Sequence, residues 1–260
     1  MVSGCSVKTT ALRVTAHLLD TGVAAIYEET DTRFAREAMA GNLKLLETLV
    51  KNDSKNPQIL LALSQGFGGY SFLFIEDEDA GRARYFYQKG RDYGIQLLGP
   101  KLSDLKSLGS QDTPALFWTA YCWGGWASLS LNDPDAIAGL PKVEAMVRRV
   151  EELHPGFFYS GTDLLLGAYY GSRPKMFGGD LGKSKSYFES AIQKTSGQFL
   201  MAQVLYAKYY AVAAQDRGLF SSLLESVIAA PQNPLPEQGL SNQVAKEKAK
   251  KLLGKINDLF

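Results

Sequence analysis

Two cysteines and two histidines, Cys5, Cys122, His17 and His154, are all the soft metal-binding chemistry in 260 residues. A zinc site needs three or four such ligands and a disulfide framework needs a set of paired cysteines, so neither has raw material here. A surplus of charge is also missing, because 28 Lys and Arg stand against 27 Asp and Glu for a net of +1. Nucleic acid requires a concentrated basic face, and this balance excludes it as a partner. The sequence has no G-x-S-x-G, no P-loop, no H-E-x-x-H and no C-x-x-C, so the common hydrolase, nucleotide and zinc-protease chemistries lack their residues. No catalytic residue, metal or cofactor is assigned, and a non-enzymatic role is expected. The most apolar stretch, residues 115–131, is broken by Gly124-Gly125 and crowded with Trp and Tyr. It falls short of a bilayer span and reads as a buried helix.

What the chain does have is helical periodicity. Between Tyr159 and Ala191, apolar residues recur at helical spacing, first at Leu165, Leu166, Tyr169 and Tyr170, then at Leu181, Tyr187, Phe188, Ala191 and Ile192. Arg173-Pro174 stops the first helix, Gly178-Gly179 turns the chain, and Asp180 sits where an N-cap belongs. Ser184, Phe188 and Ala191 then occupy small–large–small positions, as in the second helix of a tetratricopeptide repeat. The register returns at Ala83-Tyr87-Gly90, Val143-Val147-Val150 and Phe220-Leu224-Val227, with a looser copy at Asn42-Leu46-Leu49. Successive copies lie about 36 to 41 residues apart, except for one longer step across residues 99–111.

The spacing predicts an all-α fold of about five tetratricopeptide-like helical hairpins in a curled solenoid, with Val244–Asp258 as the C-terminal capping helix. Residues 1–10 are expected to form a tail and residues 11–260 a single helical-repeat domain. Helices are expected over residues 11–28, 34–51 and 80–98, and Asn56-Pro57, Thr113-Pro114 and Asp133-Pro134 read as helix starts. The acids Glu76 to Asp79 read as a cap rather than a metal site. Residues 116–131 and 199–212 are apolar nearly all round. They must be buried on several sides, lining an inner wall or meeting another subunit, with Trp118, Trp123 and Trp126 as candidates for that surface.

Val2-Ser3-Gly4-Cys5 follows the order of a bacterial lipobox, which makes Cys5 the expected lipidation site. No basic stretch and no apolar run precedes it in the sequence as given, so a full export signal is expected to have been trimmed. A plain tail with an incidental cysteine is the alternative.

Three segments, Gly171–Ala191 (GSRPKMFGGDLGKSKSYFESA), Val204–Pro231 (VLYAKYYAVAAQDRGLFSSLLESVIAAP) and Phe74–Gly94 (FIEDEDAGRARYFYQKGRDYG), carry a family likeness, and the box before Cys5 agrees with it. The chain resembles the TRAP transporter T-component (TatT) family of bacterial lipoproteins. The resemblance implies a periplasmic protein, lipid-anchored to the membrane, that partners the solute-binding subunit of a tripartite ATP-independent periplasmic (TRAP) transporter. It also implies a tunnel for an apolar or amphipathic organic acid, and a homo-oligomer, plausibly a trimer. In such a tunnel Trp118, Trp123, Tyr159, Tyr169 and Tyr170 would give apolar walls with hydrogen-bonding tips. Arg173 and Lys175 would supply charge for a carboxylate, although Arg173 can equally close the carboxyl end of its own helix. A protein-docking scaffold without a small ligand is the alternative function.

Overall fold

The computed structural model describes residues 21–130 and 132–260, and the described residues contain helices and no strand. Cys5, the tail over residues 1–10 and the expected helix over residues 11–20 lie outside them. Residues 21–28 are helical (α1). They are followed by α2 (Thr32–Asn52), α3 (Pro57–Tyr70), α4 (Ala80–Leu98), α5 (Thr113–Ser128), α6 (Pro134–Ala138) and α7 (Leu140–Leu153). Then come α8 (Phe157–Gly171), α9 (Leu181–Lys194), α10 (Met201–Leu205), α11 (Arg217–Ala229), α12 (Gly239–Leu253) and α13 (Ile256–Leu259). A π-helical turn, Ser71–Ile75, extends α3, and another, Tyr206–Ala211, extends α10. Short 3-10 turns fill the stretch between α4 and α5.

Side chains with short polar heads start six of these helices by accepting otherwise orphaned backbone N–H groups. Asp31 serves α2, Asn56 serves α3 ahead of Pro57, Asp79 serves α4, Asp133 serves α6, Asp180 serves α9 and Asp216 serves α11. Thr113 departs from this pattern. A 3-10 turn, Ser110–Asp112, runs straight into α5, so Thr113 lies inside the helix with its hydroxyl buried and unpaired.

The helices sort into two layers. The α3, α5, α8, α10 and α12 set packs side by side: α3 on α5, α5 on α8, α8 on α10 and its π turn, and α10 on α12. Each of α4, α7, α9 and α11 bridges two neighbours of that inner set. A bridging helix needs one apolar stripe. Thus α9 buries Ser184, Phe188 and Ala191 and no other residue, and α11 buries Phe220, Leu224 and Val227. Phe188 lies flat against α8, where a Cβ on Gly167 would meet its ring at 2.9 Å. Burial of such a ring stabilises by about 1.5–3 kcal/mol.

The register fails in α2. Its buried stripe is Ala35, Met39, Leu43 and Val50, whereas Asn42 is exposed. Leu46 and Leu49 turn instead toward Val23 and Ile26 of α1. The buried stripe of α2 thus lies one position on from the expected register, at Leu43 and Val50 rather than Asn42 and Leu49.

The two ends of the helical array touch. The Thr32 hydroxyl donates to Glu247 at 2.8 Å across 215 residues of sequence, and Gly239 packs against the Glu28 carbonyl. Inside the last layer, Asn242 accepts from the Leu200 N–H at 2.9 Å and donates to the Gln198 carbonyl at 3.0 Å, fixing α12 on α10. Among the described residues one helix is long and apolar enough to cross a membrane, Pro57–Ile75, rather than the stretch around Gly124-Gly125; it is mostly buried within the inner layer.

Candidate functional site

A cavity of about 150 Å³ lies among the inner helices, lined by α3, α5, α7, α8 and α10 with single residues from α1, α4 and α12. On α5 its lining runs from Phe117 to Ser128, roughly 16 Å at 1.5 Å of rise per residue. The cavity is therefore long and narrow. Its wall is aromatic: Trp118 stands edge-on to Phe158 (4.8 Å between centroids), Phe117 (5.1 Å) and Tyr121 (5.2 Å).

The start of α8 shapes one end. Phe158, Tyr159 and Ser160 have φ of 49°, 54° and 59°, a left-handed turn built from side-chain-bearing residues, entered through Gly156 at φ 77°. Each such residue costs ~1–2 kcal/mol relative to the right-handed form. The turn sets the Phe158 ring against Trp118 and Tyr27, while Tyr159 stacks on Phe199 at 5.4 Å.

The carboxyl end of α8 and the first turns of α7 supply one group of polar side chains. Glu144, on α7 beside the buried stripe, accepts from Tyr170 at 2.6 Å and from Arg148 at 2.7 and 2.9 Å. Burial alone would raise its pKa; the hydrogen bonds from Tyr170, Arg148 and Tyr169 outweigh burial and hold the carboxyl below its ordinary value. Burial together with Glu144 pushes Tyr170 up to about 12. Next to this group, Arg173 donates from Nε to the Tyr169 carbonyl at 3.0 Å, and its guanidinium lies 3.5 Å from the centre of the Tyr169 ring. The second terminal nitrogen of Arg173, Nη2, is buried against Tyr169 and makes no hydrogen bond of its own.

A second polar cluster sits where α3 ends. Glu76, with a side chain 8% exposed, pairs with Lys208 at 3.3 Å and Lys248 at 3.8 Å. It also accepts from Tyr87 at 2.8 Å. Burial and then the charge of Glu76 hold the Tyr87 hydroxyl well above its ordinary pKa. Tyr209, with Glu76 and Asp77, keeps Lys208 charged. Of the four acids read as a cap, only Asp79 caps; Glu76 and Asp77 gather lysines from the π turn after α10 and from α12.

Of the candidate residues, Trp118, Tyr169 and Arg173 line the cavity. Tyr170 is buried and lies outside the cavity lining, bonded to Glu144 and Arg148 and stacked on Tyr187. Trp123 lies outside the lining, with Arg91 and Lys142 each 5.5 Å from its ring and Gly139 against its edge. Tyr159 faces a separate surface hollow, and Lys175 is exposed on the turn after α8. Trp126 is buried beneath Arg91. Cys122 is buried, its thiol pushed well up by burial and donating to the Ser64 carbonyl at 3.3 Å, which is a packing role. Phe117, Tyr121, Phe158, Glu76 and Glu144 join the site without a strong local signal. Glu144 had the clearest one, an acid adjoining the Val143-Val147 stripe with Arg148 one turn on. Among the described residues no group of three or more His, Cys, Asp or Glu could hold a metal ion.

A model of the TRAP transporter T-component family matches residues 28–260, and the chain belongs to that family. It is also 21% identical to an uncharacterized protein of Treponema pallidum (strain Nichols), in a match that spans the whole chain and 94% of that protein. Membership makes the protein an accessory component of TRAP transport, associated with such a transporter at the membrane or in the periplasm. The family is one of transporter components.

Proposed function

We propose that the protein holds an amphipathic organic acid in the inner-helix cavity and relays it to or from the solute-binding subunit of a TRAP transporter. The observation that carries this reading is the buried Nη2 of Arg173 at the cavity wall, which makes no hydrogen bond of its own. An unmet buried donor is costly, and a guanidinium offers a carboxylate two parallel hydrogen bonds, so a ligand carboxylate would satisfy what the fold leaves open. The apolar part of the ligand would lie along Trp118, Phe117 and Phe158. An apolar cavity of about 150 Å³ is the size that holds one benzene ring. That favours acids bearing one ring or a chain of about six to eight carbons.

In the same reading, α1–α2, α3–α4, α5–α7, α8–α9 and α10–α11 are five tetratricopeptide-like hairpins of one curled domain, residues 11–260, and α12 is their cap. Support comes from the alternation of inner and bridging helices and from the contact between the array's ends. Lipidation at Cys5 would tether the protein in the periplasm, and copies would assemble as a trimer.

Thermal denaturation with phenylacetate, hexanoate and octanoate tests the ligand. Binding at a hundredfold excess over Kd stabilises by about 2.7 kcal/mol, a rise in Tm of roughly 5 °C or more for a chain of this size. Arg173→Ala should abolish the rise while the folded spectrum survives. A flat response of the wild type across the panel would leave a protein-docking scaffold with no small ligand. An Arg173→Ala protein that unfolds would make Arg173 a helix cap.

A further inference from the structure

Seven large apolar side chains are exposed among the described residues. Phe34, Leu45, Tyr85 and Ile137 are scattered over α2, α4 and α6. Met176, Phe177 and Leu181 fall together at the turn between α8 and α9, with Met176 82% and Phe177 64% exposed. The turn is tightly wound. Phe177 N–H donates to the Pro174 carbonyl at 2.9 Å, Gly178 N–H to Lys175 at 3.1 Å, and Asp180 N–H back to Tyr170 at 3.0 Å. Gly178 takes φ +83°, and a Cβ at Gly179 would fall 1.8 Å from the Arg173 carbonyl oxygen. Only glycine lets the chain double back there. A satisfied, wound backbone therefore holds two apolar side chains out in water, which marks a surface built to be covered.

Charge in and beside this turn is net positive. Arg173, Lys175, Lys183 and Lys185 stand against two acids, Asp180, which caps α9 and pairs with Lys183 at 3.7 Å, and Glu189, 3.9 Å from Lys185. Exposed apolar side chains beside a net positive charge, with Lys175 in the turn itself, suit the boundary of an anionic bilayer, where the side chains enter the headgroup layer and the cations meet phosphate. Three side chains cover far less than the roughly 800 Å² per partner of a stable protein interface. A bilayer needs no such area. We propose that the α8–α9 turn, residues 174–181, is a membrane-surface contact that inserts Met176 and Phe177 into an anionic phospholipid layer. Because Arg173 adjoins this turn and lines the cavity, docking brings the charged side of the cavity toward the lipid. The inference does not depend on what the cavity holds.

The test uses the full chain carrying Cys5→Ser, so that no acyl chain contributes, sedimented with phosphatidylcholine vesicles with and without phosphatidylglycerol. Binding should require phosphatidylglycerol and weaken in about 0.5 M salt, where exposed charges are screened. Met176→Ser/Phe177→Ser should weaken it roughly tenfold and Lys175→Glu several-fold, with melting temperatures unchanged. Phe177→Trp should show blue-shifted emission on these vesicles and quenching by brominated acyl chains. Failure of the Cys5→Ser chain to bind phosphatidylglycerol vesicles overturns the proposal. So does binding unchanged by Met176→Ser/Phe177→Ser, or equal binding to both kinds of vesicle.

Discussion

Helices α5 and α9 have similar lengths, 16 and 14 residues, and opposite designs. On α9 three buried residues form a single stripe, and lysines and serines cover the rest. On α5 the buried residues point in nearly every direction, because α3, α4, α7, α8 and the cavity surround it. A stripe tells a helix which way to face; an all-round apolar surface does not. For α5 that instruction comes from its small residues, which let neighbours approach closely, as where the Tyr87 ring lies within 2.5 Å of the Cβ position of Gly125. The bridging layer thus concentrates stability in a few interchangeable registers, and the inner layer spends its apolar surface partly on a space.

Breaking the stripe should have the largest effect. Phe188→Ala removes a fully buried ring from α9 and should lower the unfolding free energy by about 3–5 kcal/mol in urea denaturation. Below its new melting point the variant should still respond to hexanoate, since Phe188 does not line the cavity. Filling the space should do the reverse. Ala168→Phe on α8, at a position lining the cavity, should erase the carboxylate response at a stability cost under about 1.5 kcal/mol, because room for the ring exists; a cost near 3 kcal/mol would mean the space is not there.

The smallest effect concerns pH. Glu144 has a folded-state pKa below its ordinary value of 4.5. Its contribution is therefore present above pH 4.5 and lost as pH falls through the folded value. Glu144→Gln should flatten the acid limb of stability between about pH 5 and 3 by at most about 1 kcal/mol, given the partial exposure of the pair. Lowered carboxyls at Glu47, Asp77 and Glu78 preserve the rest of that limb. An unchanged limb in calorimetry would place Glu144 outside the set that matters.

The same contrast explains what could be read from the sequence. Stripes and caps are local, so the register at Ser184, Phe188 and Ala191, the Asp180 cap and the Gly178-Gly179 turn all stand where spacing put them. The register misled at Asn42, where the buried stripe of α2 lies one position farther on, at Leu43 and Val50, while Leu46 and Leu49 sit half-buried beside α1. The site was harder. Trp118, Tyr169 and Arg173 reach the cavity, but an all-round apolar helix cannot say which of its aromatics face a space, and Trp123 faces Gly139 instead. Glu76 read as a cap because its lysines lie 132 and 172 residues farther along the chain, at Lys208 and Lys248. The left-handed turn at Phe158 breaks the preference of its own residues, so no local rule could foresee it.

The contact between Thr32 and Glu247, with Lys248 reaching Glu76 and Asp77, has a consequence for how the chain folds. An open row of repeats can nucleate anywhere and lose its ends first. Here the ends hold each other across 215 residues, and the loop-closure entropy is recovered only when every intervening helix is in place. That contact should form last and slowly, and Lys248→Met should convert a single unfolding transition into a frayed one in which α12 and α2 exchange amide hydrogens ahead of α5.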